Sequence, residues 1–277
     1  MQIGIIGTGN MGSMLTESLI ISDAIKPNNI CITNRTISKA LKLQAKYPEI
    51  HVHSNAEEVI QNSDLLFLCI KPLDIHPLLK KINHLLSDKK CLISITSPIT
   101  VEQLESLCAC SCARAIPSIT NHALSGVCLL TFGKNCTEEW KNTLVELLSK
   151  ISKPIEIDNE ITRVASDIVS CGPAFFSYLL RKFIDSAVKE TKISEELATQ
   201  LASEMLIGMG NLIEKQLYTL PSLQEKVCVK GGITGEGIKV LEASDIHRSF
   251  NQLYQATHKK YQEDLDIIKE QFQIPNV

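Results

Sequence analysis

The sequence predicts an α/β fold in which a mostly parallel sheet is followed by an all-helical segment. Short apolar runs alternate with helix-length segments in the first half of the chain, and this β-α-β alternation is typical of an open parallel sheet. The runs Met1–Ile6 and Leu65–Ile70 lack polar alternation, as expected for strands that helices cover on both faces. From Ile157 onward, almost every segment has the apolar spacing of a helix.

The elements of the first half follow from these patterns. The strands are predicted at Met1–Ile6, Asn29–Thr33, His51–His53, Leu65–Ile70, Cys91–Thr96, Cys112–Ala115 and Gly126–Thr131. The helices are predicted near Met11–Ile21, Ile37–Lys46, Ala56–Asn62, Leu73–Leu85 and Thr137–Lys150. Because strand and helix alternate throughout, residues 1–158 are predicted to form one sheet domain.

The remaining residues, 159–277, are predicted to form a helical domain. One helix carries an apolar residue at every fourth position, with Ser194 as its N-cap. Its apolar positions are Leu197, Leu201, Met205, Met209 and Ile213. A last long helix carries its apolar stripe from Ile246 to Ile268. Ahead of both, Ser170 and Cys171, which precede Gly172-Pro173, are predicted to mark a helix break, because proline lacks the N–H that a continuing helix needs.

The composition excludes several classes of protein. Hydrophobic residues make up 44% of the chain, which excludes a wholly disordered protein. The net charge of −3 gives no electrostatic reason to expect nucleic acid or an anionic membrane as a partner. No apolar run approaches the roughly 18–20 residues that span a bilayer, and no basic segment precedes the apolar start. We therefore expect a cytoplasmic protein with neither a nucleic-acid nor a membrane partner.

The ten cysteines are expected to be reduced thiols, since disulfide frameworks belong to short secreted chains. Cys108, Cys110 and Cys112 are tightly spaced, but their spacing fits no common pattern of zinc ligands. The seven histidines form no pair with metal-binding or catalytic spacing. No metal site is therefore predicted.

A glycine-rich turn follows the first predicted strand and opens the first helix. It reads Gly7-Thr8-Gly9-Asn10-Met11-Gly12. Its glycines suit a tight turn, close approach of the backbone to a pyrophosphate, and packing of the helix on the strand. The helix start would offer the phosphates unpaired N–H groups and the positive end of its dipole. We interpret all six residues as cofactor-binding; the alternative is an ordinary strand–helix turn.

The residues after the second strand distinguish the two nicotinamide dinucleotides. An NAD site usually has an acidic residue there for the ribose hydroxyls, whereas this chain has Asn34-Arg35-Thr36. Arg35 offers a planar cation to the 2′-phosphate of NADP, with Thr36 as a further donor. NADP is therefore predicted over NAD; the alternative is that Arg35 is a solvated loop cation. Lys71-Pro72, after the fourth strand, is a further candidate for backbone contacts with the cofactor.

These motifs, in this order, resemble the pyrroline-5-carboxylate reductase family over nearly the whole chain. The residues that carry the resemblance are Ile3-Gly4-Ile5-Ile6-Gly7-Thr8-Gly9-Asn10-Met11-Gly12, Asn34-Arg35-Thr36, Ile70-Lys71-Pro72, Arg114-Ala115-Ile116-Pro117, Cys171-Gly172-Pro173-Ala174-Phe175, Lys230-Gly231-Gly232-Ile233-Thr234 and Gly237-Ile238-Lys239-Val240-Leu241-Glu242. The resemblance implies an N-terminal Rossmann domain and a C-terminal helical domain for dimerisation and substrate binding. It also implies NADPH-dependent reduction of a cyclic imine, 1-pyrroline-5-carboxylate, to proline by a homodimer or higher homo-oligomer.

Such a reduction needs an anion site for the substrate carboxylate and a proton for the imine nitrogen. The turn Lys230-Gly231-Gly232-Ile233 would supply backbone N–H groups to the carboxylate. The hydroxyl of Thr234 would lie near the ring nitrogen, and the resemblance implies this catalytic role for it. The alternative is a plain glycine turn between two helices.

The substrate half departs from the family pattern more than the cofactor half does. Val229-Lys230 stand where the family has Ser-Pro, so Lys230 either replaces a serine donor with a cation or points to water. Ser118-Ile119-Thr120 and Thr96-Ser97-Pro98 also differ from the family pattern. The departures are similar to those of a divergent, competence-associated branch of the family in bacilli. Two alternatives therefore stay open: an NADP-binding paralogue without proline-forming activity, and a reductase of another small imino or keto acid.

Overall fold

The computed structural model describes residues 1–272, and an eight-stranded sheet organises the first part of this range. The strands are β1 (Ile3–Ile6), β2 (Ile30–Thr33), β3 (His51–Val52), β4 (Leu65–Leu68), β5 (Cys91–Ser94), β6 (Ser111–Ile116), β7 (Val127–Phe132) and β8 (Lys153–Glu156). Their order across the sheet is β3-β2-β1-β4-β5-β6-β7-β8. All neighbouring strands are parallel except the antiparallel pair β6 and β7. The strand order reverses between β1 and β4, and ligands of open α/β sheets bind at the carboxyl ends of the strands at such a switch point.

Helices connect the strands of the sheet. They are α1 (Asn10–Ile21), α2 (Ile37–Lys46), α3 (Ala56–Gln61), α4 (Pro72–Ile82), α5 (Val101–Glu105) and α6 (Glu138–Ser149), followed by α7 (Thr162–Ser166). All five helices predicted for this half are present, so the predicted α/β alternation is confirmed. The sequence did not predict α5, which has five residues, or β8. In β8 the side chains are mostly exposed and Pro154 interrupts the pattern, as is common in an edge strand.

The sheet is buried on both faces. Leu65 and Phe67 of β4 pack into one apolar cluster, and Leu66 and Leu68 pack into a second cluster. All four side chains have no exposed surface. The uninterrupted apolar run of this strand is therefore the consequence of helices on both sides, as the sequence predicted.

The second part of the chain is helical. Its helices are α8 (Gly172–Glu190), α9 (Glu195–Glu214), α10 (Leu220–Val227), α11 (Ile233–Ala243) and α12 (Ile246–Phe272). The described residues divide into two compact units, one formed by residues 1–173 together with residues 257–272, and the other by residues 174–256. The boundary inferred at residue 158 stays a prediction. None of the helices within residues 1–272 is both long and apolar enough to cross a membrane.

Two local predictions for the helical part have different outcomes. Ser194 is the N-cap of α9, where its hydroxyl accepts a hydrogen bond from the Leu197 N–H at 3.2 Å, so this prediction is confirmed. The helix break predicted at Ser170 and Cys171, before Gly172-Pro173, is wrong. A π-helical turn, Asp167–Cys171, joins α7 to α8 without a break. The wider turn accommodates the proline, which has no N–H to donate.

The helical unit has a small buried core and a large exposed apolar surface. Ile184, Ala198 and Ala202 form its cluster of buried hydrophobic residues. Its exposed large apolar side chains include Phe176, Tyr178, Leu179, Phe183, Leu197, Leu201, Met205, Leu206, Ile207, Ile213, Leu217, Leu220 and Val227. The apolar stripe predicted on α9 therefore lies largely at the surface of the single chain.

Candidate dinucleotide-binding site

The glycine-rich turn between β1 and α1 needs glycine at two positions for packing. Gly7 has a φ of +103°, and a Cβ there would collide with the Cys69 carbonyl oxygen. A Cβ at Gly12 would collide with the Gly7 carbonyl oxygen. Gly9 is different, because a Cβ there would meet no heavy atom within 4 Å. Gly9 also lines the open cleft described below, so glycine at this position leaves its backbone accessible from the cleft.

The start of α1 is open to an anion. Gly9 is the N-cap residue, no side chain caps the helix, and its first turn holds no acidic residue. The first turn, Asn10 to Gly12, therefore keeps backbone N–H groups without a side-chain acceptor, at the positive end of the helix dipole. The Thr8 N–H is engaged, since it donates to Asn34 Oδ1 at 3.0 Å. This bond fixes the loop after β2 against the glycine turn.

The loop after β2 carries the residues expected to distinguish NADP from NAD. The Asn34 amide bridges the loop internally as well, because its Nδ2 donates to the Thr36 carbonyl at 2.9 Å. Thr36 is the N-cap residue of α2, yet its hydroxyl makes no cap hydrogen bond. The Arg35 side chain is 85% exposed. The hydroxyl of Thr36, the start of α2 and the guanidinium of Arg35 therefore all remain able to contact a phosphate.

These elements surround a cleft of about 640 Å³. Its lining residues are Ile6, Gly7, Gly9, Thr33, Asn34, Arg35, Thr36, Ile37, Lys39, Ser54, Asn55, Ala56, Glu57, Cys69, Ile70, Lys71, Asp74, Leu78 and Lys81. The structure thus brings Gly7 and Gly9 of the glycine turn, the loop after β2 and Lys71 to one cleft. Thr8, Asn10, Met11 and Gly12, which were also predicted to bind the cofactor, do not line it. Lys71 is the N-cap residue of α4, and Pro72 begins that helix without lining the cleft.

The far wall of the cleft comes from residues whose role the sequence did not predict. Asn55 caps α3, where its Oδ1 accepts from the Glu58 N–H at 2.9 Å. Asp74 and Lys81 project from α4. A helix-capping residue shortly after a predicted strand is a detectable signal, and Asn55 provides it two residues after the predicted strand His51–His53. Burial raises the pKa of the Cys69 thiol to about 12, so this cleft residue is a neutral thiol at physiological pH.

The buried guanidinium of Arg114 holds the loop that follows β5. Arg114 is 1% exposed and donates to the Ser97 carbonyl at 3.1 Å and to the Thr162 hydroxyl at 2.6 Å. Tyr261 of α12 donates to the same Ser97 carbonyl at 3.2 Å. Burial lowers the pKa of Arg114, because it removes the charged guanidinium from water. The groups that accept its hydrogen bonds are neutral oxygens. Since this loop leaves the carboxyl end of β5, next to the switch point, Arg114 and Tyr261 hold its backbone in place there.

The turn predicted to bind the substrate lies in the helical unit. Gly231 has a φ of +75°, and the Gly232 N–H donates to the Val229 carbonyl at 2.9 Å. Gly232 is the N-cap residue of α11, and no side chain caps this helix. Lys230 and Thr234 are exposed, and Ile233 is 94% exposed. The residues predicted for this site are therefore gathered in one open turn at a helix start.

The closely spaced thiols are buried in the sheet unit. Cys108, Cys110 and Cys112 are at most 8% exposed, and Cys112 Sγ lies 3.5 Å from the Cys110 carbonyl oxygen. In residues 1–272, no group of three or more histidine, cysteine, aspartate or glutamate side chains is arranged to hold a metal ion. These thiols pack as small hydrophobic side chains within the second apolar cluster.

Comparisons with known proteins cover both halves of the chain. Residues 159–264 match a family model described as pyrroline-5-carboxylate reductase dimerisation. Residues 2–98 match a family model described as NADP oxidoreductase coenzyme F420-dependent.

Two curated relatives and one solved structure align over nearly the full length. ComE operon protein 4 of Bacillus subtilis (strain 168) is 54% identical over 99% of this chain and 100% of its own length. Pyrroline-5-carboxylate reductase 3 of the same organism is 30% identical over 94% of this chain and 96% of its own length. The crystal structure of Plasmodium falciparum pyrroline carboxylate reductase with NADP bound has a TM-score of 0.81 at 23% identity, covering 96% of this chain and 97% of that chain. The structural likeness shows a shared fold.

Proposed function

Since the chain belongs to the pyrroline-5-carboxylate reductase family, we propose that it uses NADPH to reduce a cyclic imine, with 1-pyrroline-5-carboxylate as the first candidate substrate. The matches confirm the predicted family and, at the level of the family, the predicted NADP cofactor and oxidoreductase class. The observation that carries the proposal is the cleft at the switch point, where an uncapped helix start and an exposed arginine lie on one continuous surface.

The cofactor end of the site has the chemistry for NADPH. The Gly7–Gly12 turn and the start of α1 would hold the pyrophosphate through backbone N–H groups. Arg35 and Thr36 would hold the 2′-phosphate, with Asn34 keeping their loop against the glycine turn. Lys71-Pro72 would border the cofactor at the start of α4. NADPH supplies the hydride that reduces the imine carbon.

The substrate end is proposed at the turn before α11. The carboxylate of the imino acid would bind the N–H groups of Gly231, Gly232 and Ile233, since the start of α11 has no side-chain cap. Thr234 would keep a hydroxyl near the ring nitrogen and support its protonation. Lys230 would add a cation for the carboxylate, in a position where the family has proline.

We also propose that the protein works as a homodimer or higher homo-oligomer. The helical unit buries little apolar surface within one chain, whereas Phe176 and Phe183 are 67% and 66% exposed. Monomeric soluble proteins rarely expose contiguous apolar patches of this kind. Two copies of the helical unit would cover these side chains, and the dimerisation model matches this part of the sequence.

The test is NADPH oxidation, followed by absorbance, with purified protein and pyrroline-5-carboxylate. Proline formation would support the proposal. A second candidate is an NADP-binding paralogue without proline-forming activity, which is favoured by the 54% identical relative, whose name is not that of a reductase, and by the changed Val229-Lys230. Tight NADPH binding without turnover, together with failure to rescue a proline auxotroph, would favour this second candidate. Turnover of another imino or keto acid alone would indicate a changed substrate.

A further inference from the structure

Two oppositely charged side chains face each other across the dinucleotide cleft. Arg35 follows β2 and Asp74 lies in the first turn of α4, and both line the cleft. Arg35 Nη1 lies 4.0 Å from Asp74 Oδ2. The strands that lead into the two walls, β2 and β4, are not neighbours, because β1 lies between them. This ion pair therefore joins opposite walls of the cleft.

The other carboxylate in the cleft has a partner on a different residue. Glu57 Oε1 pairs with Lys81 Nζ at 2.5 Å. In the part of the chain that the structure describes, Arg35 is the one cation within 4.0 Å of Asp74. The Arg35 side chain is 85% exposed and the Asp74 side chain 47% exposed, so water competes for both ends of this pair. An exposed ion pair of this kind is weak and is readily exchanged for a stronger partner.

We propose that Asp74 is a specificity-determining residue for the cofactor, because it holds the guanidinium that the 2′-phosphate must take over. The proposal rests on the proposed role of Arg35 in NADPH binding. A phosphate offers a guanidinium two charge-assisted hydrogen bonds and about two negative charges, so it displaces the carboxylate. Breaking the Arg35–Asp74 ion pair therefore subtracts from the binding free energy of every 2′-phosphorylated nucleotide. Nucleotides without that phosphate leave the pair intact and bind without this loss. Asp74 therefore lowers the ratio of the affinity for NADPH to the affinity for NADH.

The adenosine end of the cofactor is enough to test this. Adenosine 2′,5′-bisphosphate and adenosine 5′-monophosphate differ by the 2′-phosphate alone, and neither contains the nicotinamide. Their Kd values are measured by isothermal titration calorimetry on the full chain. Asp74→Asn is expected to tighten bisphosphate binding about two- to five-fold, the range that an exposed ion pair supports, with the monophosphate Kd unchanged. Glu139→Gln on α6 removes the same charge from an exposed site outside the cleft, and it is expected to leave both Kd values unchanged.

A double-mutant cycle separates exchange at Arg35 from simple repulsion of the phosphate. In an Arg35→Gln background, Asp74→Asn is expected to have no effect on bisphosphate binding. The proposal is overturned if Asp74→Asn leaves the ratio of the two Kd values unchanged, weakens both ligands, or acts equally in both backgrounds. If Arg35→Gln itself leaves the bisphosphate Kd unchanged, the proposed role of Arg35 fails and this inference falls with it. If Arg35→Gln weakens the bisphosphate but Asp74→Asn changes nothing, this inference alone fails.

Discussion

Alanine substitutions at Gly9 and Gly12 are expected to separate an effect on NADPH binding from an effect on the stability of the fold. Gly9 has φ −75° and ψ −166°, which alanine adopts freely, and a Cβ there would meet nothing within 4 Å. We therefore expect Gly9→Ala to change the free energy of unfolding by less than about 0.5 kcal/mol. Because Gly9 lines the cleft, the added methyl group is expected to obstruct a pyrophosphate bound by the proposed turn. We expect the Kd for NADPH to rise at least about ten-fold, which corresponds to about 1.4 kcal/mol.

Gly12→Ala, in contrast to Gly9→Ala, is expected to lower the stability of the fold. Its Cβ would collide with the Gly7 carbonyl oxygen and lie 3.0 Å from Cys69 Cβ, so the turn itself would have to move. Overpacking of this kind costs about 1–3 kcal/mol in the free energy of unfolding. Urea unfolding followed by circular dichroism measures the stability of both variants, and NADPH fluorescence titration measures binding. Normal NADPH binding by Gly9→Ala, or normal stability of Gly12→Ala, would refute the division of roles within this turn.

Four further outcomes are expected. Arg35→Glu should weaken NADPH binding at least about ten-fold more than NADH binding in fluorescence titrations, and equal losses would exclude a role for Arg35 at the 2′-phosphate. Thr234→Ala should lower kcat about ten-fold, or about 1.4 kcal/mol, and unchanged kinetics would remove its hydroxyl from the transition state. Ile268→Ala should lower the free energy of unfolding by about 2–5 kcal/mol in urea, because this side chain has no exposed surface, and a loss below that range would contradict tight packing. Cys69, whose pKa burial raises to about 12, should resist iodoacetamide at about pH 8 until the protein is denatured, and peptide mass spectrometry that finds it labelled in the native protein would contradict this.

The sheet could be predicted because burial on both faces leaves a clear trace in the sequence. β1 and β4 are short apolar runs without polar alternation, since each strand packs into both apolar clusters. The edge strand β8 leaves no such trace, because its side chains are mostly exposed. The stripe on α9 predicted a helix, but the sequence could not say what covers it. In the single chain Leu201 and Met205 are 55% and 47% exposed.

The candidate cofactor site was predicted only where its signal is local. The glycine turn and Arg35 lie next to predicted strands, so their neighbours in sequence identify them. Asp74 and Lys81 reach the same cleft through the strand order, which places β4 beside β1. The role of Arg114 depends on partners up to 48 residues away in sequence, such as Thr162. Contacts of this kind follow from the assembled sheet and have no local pattern.

The return of α12 to the sheet unit affects the order in which this protein can fold. Ile268 fills the second apolar cluster, and the rings of Phe272 and His76 lie 4.6 Å apart. The ribosome therefore makes this part of the nucleotide-binding unit after the whole intervening helical segment. Until Ile268 is made, the second apolar cluster of the nascent sheet lacks one of its buried side chains. The core is completed by a contact between residues that are distant in sequence. A fragment that ends at residue 158 would carry every residue proposed to bind NADPH and still lack part of the core that supports them.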